Sequence, residues 1–305
     1  MACTVRVETI PTPHSPGTDW RTLTLTAIAM LALAANPLLC RMALDAERID
    51  PATFTTIRLV AGAAMLKLLL LLQRRTRYRA RVDWRSVATL FGYMICFSFA
   101  YLSLGVGTGA LILFAAVLLT MFAVALASGE TFSAASWTGL ATAVAGLVYL
   151  VSPGVTAPDP IGALLMATAG ISWGCYSLLG RGGGDPLATT ADNFLYCVPP
   201  GLIVSAIFAD NLLVTIPGVL LAVVSGALAS GLGYALWYTV VARISATHAA
   251  TVQLSVPVIA AFGGVLLLSE QLTPRLLIAS AATLGGIALV MSRREPPPRP
   301  ARRSP

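Results

Sequence analysis

Leu266-Leu-Leu-Ser-Glu-Gln-Leu-Thr-Pro-Arg275 closes a long apolar run with one carboxylate, Glu270, and then starts again at Thr-Pro. Ala125-Leu-Ala-Ser-Gly-Glu-Thr-Phe-Ser-Ala134 does the same with Glu130, and the two glutamates stand 140 residues apart in a chain with only 13 acidic residues. Each is followed three residues on by a hydroxyl residue, Ser133 or Thr273, of the kind that caps helix N-termini. Pro274 sits where a first helical turn accepts proline. A carboxylate just ahead of a helix also suits the positive end of its dipole. The stretch reads as a joint between two helices that occurs twice. The competing reading is a duplicated proton or cation site. It fits less well, because the span count below puts the two glutamates at opposite membrane faces.

Shifting the sequence by the same 140 residues overlays Leu38-Leu39-x-Arg41 on Leu178-Leu179-x-Arg181, Phe122 on Phe262, Gly146 on Gly286 and Ser152 on Ser292. Matches among Leu and Ala arise by chance in such a chain, but matches at scarce Arg and Glu do not. The composition says what is repeated. Of 305 residues, 57% are hydrophobic and 11% charged, where a soluble domain carries about 25% charged residues. Mean hydropathy is +0.81. Apolar runs of about 20 residues match the hydrocarbon thickness, and backbone groups in lipid must pair within a helix.

Ten spans are expected: Thr22–Met42, Ala52–Leu72, Val87–Val106, Thr108–Ser128, Ala134–Val151, Ile161–Gly180, Ala191–Phe208, Val219–Val241, Thr247–Leu268 and Arg275–Met291. With the N-terminus inside, fifteen of the 20 Lys and Arg fall in inner segments and three at outer ones, which sets both termini in the cytoplasm. Trp20, Trp84 and Trp137 fall at inner interfaces, as aromatic-belt residues do. The net charge of +7 thus reports topology in the cytoplasmic membrane and not nucleic-acid binding. Five spans per repeat is an odd number, so the second repeat enters from the opposite side. The expected fold is an all-α membrane protein of ten transmembrane helices in two inverted five-helix repeats. The repeats cover residues 22–152 and 159–292, with disordered tails at 1–21 and 293–305.

Ala249-Ala-Thr-Val-Gln-Leu-Ser-Val-Pro257, Gly263-Gly-Val-Leu-Leu-Leu-Ser-Glu270 and Gly285-Gly-Ile-Ala-Leu-Val-Met291 resemble the EamA family of the drug/metabolite transporter superfamily. Arg58 and Ala35-Asn36 are similar as well. The first repeat departs from the pattern, with Val117 where the second has Pro257. The resemblance implies ten helices in an inverted five-plus-five repeat and transport of small metabolites, often export.

The middle of every expected span lacks Asp and Glu. Small multidrug antiporters of the same superfamily use a deep glutamate to exchange protons for cations, so that chemistry is not expected here. Asp192, near the inner end of the seventh span, is expected at the interface. Arg58 lies roughly 10 Å inside the second span at 1.5 Å per residue, where a charge must pair, snorkel or contact an anionic group of the substrate. Lys67 is close enough to the inner end to snorkel. Arg41 and Arg181 read as duplicated interface anchors.

Tyr93, Phe97 and Tyr101 follow one another at helical spacing in the third span; Tyr234, Trp237 and Tyr238 do so in the eighth, its repeat equivalent. Trp173 and Tyr176 lie in the sixth. Such stripes often serve packing alone, but deep tyrosine hydroxyls need partners, which points to a cavity. Asn36 and Gln253 add amides. The expected substrate-binding set is therefore Asn36, Arg58, Tyr93, Phe97, Tyr101, Trp173, Tyr176, Tyr234, Trp237 and Gln253. It suits a neutral or zwitterionic solute with an apolar part, such as an amino acid. Glu130 and Glu270 are expected only as structural markers of the repeat.

Gly105, Gly107 and Gly109 read as a tight turn, and Gly139, Ala143, Gly226, Gly231 and Gly233 as close-packing faces. Arg181-Gly-Gly-Gly-Asp185 lacks the Lys-Ser/Thr of a phosphate loop and reads as a flexible connection. Five cysteines show no metal or redox spacing, and four of them sit in apolar runs as free thiols. His14 and His248 have no catalytic or metal partner by spacing. No cofactor is expected. No nucleophile–base pair, zinc motif or aspartyl pair lies in the spans, so an enzyme is not expected. The expected partners are a small-molecule substrate and membrane lipid, and a homodimer is compatible with the reading. A lipid-linked flippase, a multidrug efflux protein and a closed membrane scaffold are the alternatives.

Overall fold

A computed structural model describes residues 20–73, 82–180, 185–244 and 246–292. Residues 1–19 of the expected N-terminal tail, the expected C-terminal tail, the basic run 74–81, Arg181 and its glycines lie outside the described residues. The first helix takes in Trp20 and Arg21, which the sequence reading assigned to the tail.

The helices are α1 (Trp20–Leu44), α2 (Pro51–Leu72), α3 (Trp84–Ala100), α4 (Val106–Ala127), α5 (Ala134–Val151), α6 (Pro160–Leu179), α7 (Pro186–Ile207), α8 (Ile216–Val224), α9 (Gly233–Val241), α10 (Ala246–Gln253), α11 (Ser255–Leu268) and α12 (Pro274–Ser292). A π-helical stretch, Ser225–Leu232, joins α8 to α9 without a break. Among the described residues no strand forms, and β pairing is limited to one bridge, Ile49 with Val214.

Short polar signals start these helices. Asp50-Pro51, Asp159-Pro160 and Asp185-Pro186 each place a carboxylate that accepts a backbone N–H of the first turn, followed by a proline whose missing N–H costs nothing there. Ser133 accepts from the Ser136 N–H at 3.2 Å and Thr273 from the Leu276 N–H at 3.1 Å, so both expected hydroxyl caps form. Two arginines close helices at the other end. Arg41 donates to the Tyr101 and Leu102 carbonyls after α3, and Arg275 donates to Ser152 O at 2.6 Å after α5.

The helix starts carry the repeat. Trp20 and Pro160, Val106 and Ala246, and Ala134 and Pro274 each stand 140 residues apart. One difference between the copies has a plain cause. Helix α4 runs unbroken through Val117, whereas its counterpart divides at Leu254 into α10 and α11. Pro257 cannot donate to the Gln253 carbonyl four residues back, and its ring crowds that carbonyl.

Six helical segments are long and apolar enough to cross a bilayer: Trp20–Leu44, Pro51–Leu72, Val106–Ala127, Ala134–Val151, Pro160–Leu179 and Ile216–Val241. Ser255–Leu268 and Pro274–Val290 are apolar but shorter. This falls short of the ten spans read from the sequence, for identifiable reasons. Helix α3 has only 17 residues, because it ends at Ala100 and not near Val106. Helix α7 includes Asp192, Asn193 and the pair Pro199-Pro200, and the ninth expected span is split.

The glycine triplet after α3 also corrects the reading. Only Gly105 lies in the connection, at the N-cap of α4; Gly107 and Gly109 are inside that helix. There they admit neighbours: a Cβ on Gly107 would sit 2.9 Å from Ala261 Cβ, and one on Gly109 would sit 2.6 Å from the Tyr101 ring. Helices α5 and α12 meet almost backbone to backbone, since a Cβ on Gly139 would lie 2.6 Å from the Gly286 carbonyl oxygen. Asp192 pairs with Lys67 at 2.5 Å and ties α7 to α2.

Candidate functional site

The π-helical stretch builds the polar heart of the molecule. In an α-helix, residues five apart differ by about 140° around the axis; π-type i→i+5 bonding brings them onto one face. Ser225 and Ser230 thereby both reach Asn36 of α1, whose Oδ1 accepts from their hydroxyls at 2.9 and 3.2 Å. Pro37 follows inside α1 and removes a backbone bond from that turn. On the other side of Ser230 lies Arg58 of α2, fully buried, whose Nε donates to the Ser230 hydroxyl at 3.3 Å. Its Nη2 donates to the Tyr93 hydroxyl at 3.4 Å, and the guanidinium lies 5.0 Å from the Phe97 ring centre and 5.7 Å from that of Tyr93. Its Nη1 is buried with no hydrogen-bond partner.

Against this network lies a cavity of about 60 Å³ walled by aromatic rings, with Asn36 and Tyr93 in its lining. Tyr93, Phe97 and Tyr101 come from α3 and its C-cap, with ring centres 5.4 and 4.8 Å apart in succession. Trp173 of α6 packs against Tyr93 at 4.8 Å and stacks on Tyr234 of α9 at 5.6 Å. Phe114, Trp237, Asn36 and Gln253 complete the polar and aromatic wall. Val117, at the position of the missing proline in the first repeat, also faces the cavity.

Eight of the ten residues singled out from the sequence thus line one cavity, and two do not. Arg58 sits one layer behind Asn36 and Tyr93. Tyr176 is buried beside Trp173, and its hydroxyl accepts from Asn193 Nδ2 at 3.3 Å, which turns it into the α6–α7 contact. Tyr238 likewise turns away, with its hydroxyl 2.7 Å from that of Thr190. The sequence reading missed Ser225 and Ser230. Their signal was the Ser-Gly dipeptide occurring twice, five residues apart, inside an apolar run.

The repeat-marking glutamates behave differently from one another. Both carboxylate oxygens of Glu270 accept the Val106 N–H at 2.9 Å, so Glu270 caps α4 and not the α12 that follows it. Arg41 Nε lies 3.9 Å away. Gly264 makes room: a Cβ there would sit 2.7 Å from a Glu270 oxygen. Glu130 is exposed and has no side-chain partner among the described residues.

A model of the EamA-like transporter family matches residues 20–152 and again 160–292, the two halves already separated by the helix starts. The chain belongs to this family. The two EamA units account for the duplicated joints, and the protein is a multi-pass membrane transporter by membership. An uncharacterized protein of Pseudomonas aeruginosa is 50% identical over 276 residues, covering 90% of this chain and 96% of its own length. A solved crystal structure shares the fold at a TM-score of 0.63 and 21% identity, covering 88% of this EamA chain and 98% of that chain.

Proposed function

We propose that this EamA protein is a secondary transporter of the cytoplasmic membrane, with ten membrane-crossing helices in two inverted five-helix repeats and both termini in the cytoplasm. It exports a small metabolite, an amino acid or a similar neutral or zwitterionic solute, by rocking its two halves about a central site. The observation that carries this reading is the meeting of side chains from both repeats around one cavity: Asn36, Tyr93 and Phe97 from the first, Trp173, Tyr234 and Gln253 from the second. A water occupies about 10–15 Å³ on this scale and ordinary ligand pockets start near 300 Å³. At about 60 Å³ the cavity holds a few waters, so loading a solute requires the helices around it to part. Alternating access supplies that motion.

The competing readings fare less well. No Asp or Glu lines the cavity, which removes the carboxylate a proton-coupled cation exporter needs. A flippase needs a polar path that opens to lipid. The groove of about 520 Å³ between α1 and α11 is instead walled by apolar side chains such as Leu31, Leu38, Phe262 and Leu266. A scaffold would have a packed centre. The test is uptake and efflux in proteoliposomes across a metabolite panel, with Trp173→Ala and Arg58→Ala beside the parent. Flux of at least one amino acid that falls about tenfold or more in Trp173→Ala is expected. No movement of any amino acid, or flux indifferent to both changes, would sink the proposal.

A further inference from the structure

Arg58 poses a problem that the fold leaves unsolved. A guanidinium stays charged in proteins, and an ionised side chain deep in a membrane segment persists where it has a charge partner or a task. Arg41 pairs with Asp45 and Glu270, and Lys67 with Asp192; among the described residues no ion pair involves Arg58. The ionisable groups around it are Tyr93, Tyr234 and Cys40, which are neutral in their ordinary forms. Its other contacts are the Ser230 hydroxyl and two ring faces. One terminal nitrogen, Nη1, is left over. A full positive charge with a spare donor is therefore held one side chain away from the cavity. Both groups that screen it, Tyr93 and the Asn36–Ser230 pair, belong to the cavity wall or bond to it.

We propose that the cavity is a carboxylate site: the solute brings its anionic group towards Arg58, reaching the guanidinium as the Tyr93 and Asn36 side chains give way, and its apolar body lies among Trp173, Phe97 and Tyr234. This rests on the reading of the cavity as the substrate site and adds the charge of the substrate to it. The chemistry is consistent on both sides. The guanidinium offers the donors that a carboxylate accepts, and with the wall free of acids nothing repels the anion. An ammonium group, where the solute has one, meets aromatic faces, which attract cations. The carboxylate is the group whose loss should be felt most.

Three probes of one skeleton separate the contributions: L-leucine, 4-methylpentanoate, which lacks the amine, and 3-methylbutylamine, which lacks the carboxylate. Binding to the purified full chain is measured by ligand-induced thermal shift and by isothermal titration. Both carboxylates are expected to bind at least about tenfold more tightly than the amine, the scale of a hydrogen bond to a charged group. Arg58→Met should bring that ratio to within about twofold, and Arg58→Lys should retain part of it. The panel on the unsubstituted protein stands without the variants, so a misfolded variant does not rescue the proposal. An amine that binds as tightly as the carboxylates overturns the carboxylate site while leaving the aromatic cavity as substrate site. So does a ratio unchanged in Arg58→Met. If none of the three binds and Trp173→Ala alters no flux, both readings fall. Equal stabilisation by sodium chloride and by the carboxylates reveals a general anion effect and also overturns the proposal.

Discussion

Replacing Glu270 with alanine tests whether the repeated joints are really different in use. The carboxylate accepts the Val106 N–H at 2.9 Å with both oxygens, at the open N-terminus of α4. Losing a cap costs about 1 kcal/mol, and a charge against a helix N-terminus typically adds about 0.3–1 kcal/mol more. Arg41, 3.9 Å away and partly exposed, adds a few tenths at most. The total is about 2 kcal/mol, which should fall on local opening of the first turn of α4. Since each 1.4 kcal/mol is tenfold, hydrogen exchange of the Val106–Gly109 amides should accelerate by about 30-fold in Glu270→Ala. Glu270→Gln keeps an acceptor and loses the charge, so about half the effect is expected. Glu130→Ala, at the equivalent place in the first repeat, should change stability by less than about 0.5 kcal/mol, because that side chain is exposed without a partner among the described residues. Hydrogen–deuterium exchange with mass spectrometry in detergent reads all three. Equal effects from Glu130→Ala and Glu270→Ala, or an unchanged Val106 amide, would refute the assignment of Glu270 as the cap of α4.

Gly286→Val should destabilise by about 1–3 kcal/mol, since its side chain would press on the Gly139 and Ala143 backbone; Gly285→Ala, whose added methyl meets nothing within 4 Å, should be neutral in the same detergent melt. Lys67→Met with and without Asp192→Asn should show a coupling of no more than about 1 kcal/mol in a double-mutant cycle, because both side chains are over a third exposed at 42% and 35%. Asp83, the N-cap of α3, is held below the usual carboxylate range chiefly by the Ser86 hydroxyl. A depressed folded value contributes stability above the unfolded value near pH 3.9 and loses it as pH falls through the folded one. Protection of the first-turn amides of α3, their exchange rate compared with that of an unfolded chain at the same pH, should therefore fall on acidification below about pH 4 in the parent and stay flat in Asp83→Asn.

What the sequence made legible was local. The Ser133 and Thr273 caps depend on neighbours within a turn and form as expected, and the 140-residue offset returns in the helix starts. The aromatic wall was legible because helical spacing carries Tyr93, Phe97 and Tyr101 to one side. Three things were not. The partner of Glu270 is 164 residues away, so its own neighbourhood pointed to the wrong helix. The Ser-Gly dipeptide recurs five residues apart, but α-helical spacing puts Ser225 and Ser230 on different faces, and only the π-helical stretch brings both to Asn36. The glycine triplet was misread as a turn because Gly107 and Gly109 serve packing partners, Ala261 and Tyr101, that the local sequence does not reveal.

The uncompensated guanidinium of Arg58 has an electrical consequence. One elementary charge carried across the whole membrane field exchanges about 2.3 kcal/mol per 100 mV. A rocking motion that moves Arg58 through a tenth of the field therefore exchanges about 0.2 kcal/mol per 100 mV. With a monoanionic solute bound, the loaded site is neutral, and the potential acts on the return of the empty carrier. With a zwitterion bound, loaded and empty forms carry the same charge, and voltage drops out of the net direction. Current recorded from one protein with two solutes of the same skeleton would thus show which half of the cycle the cell's membrane potential drives.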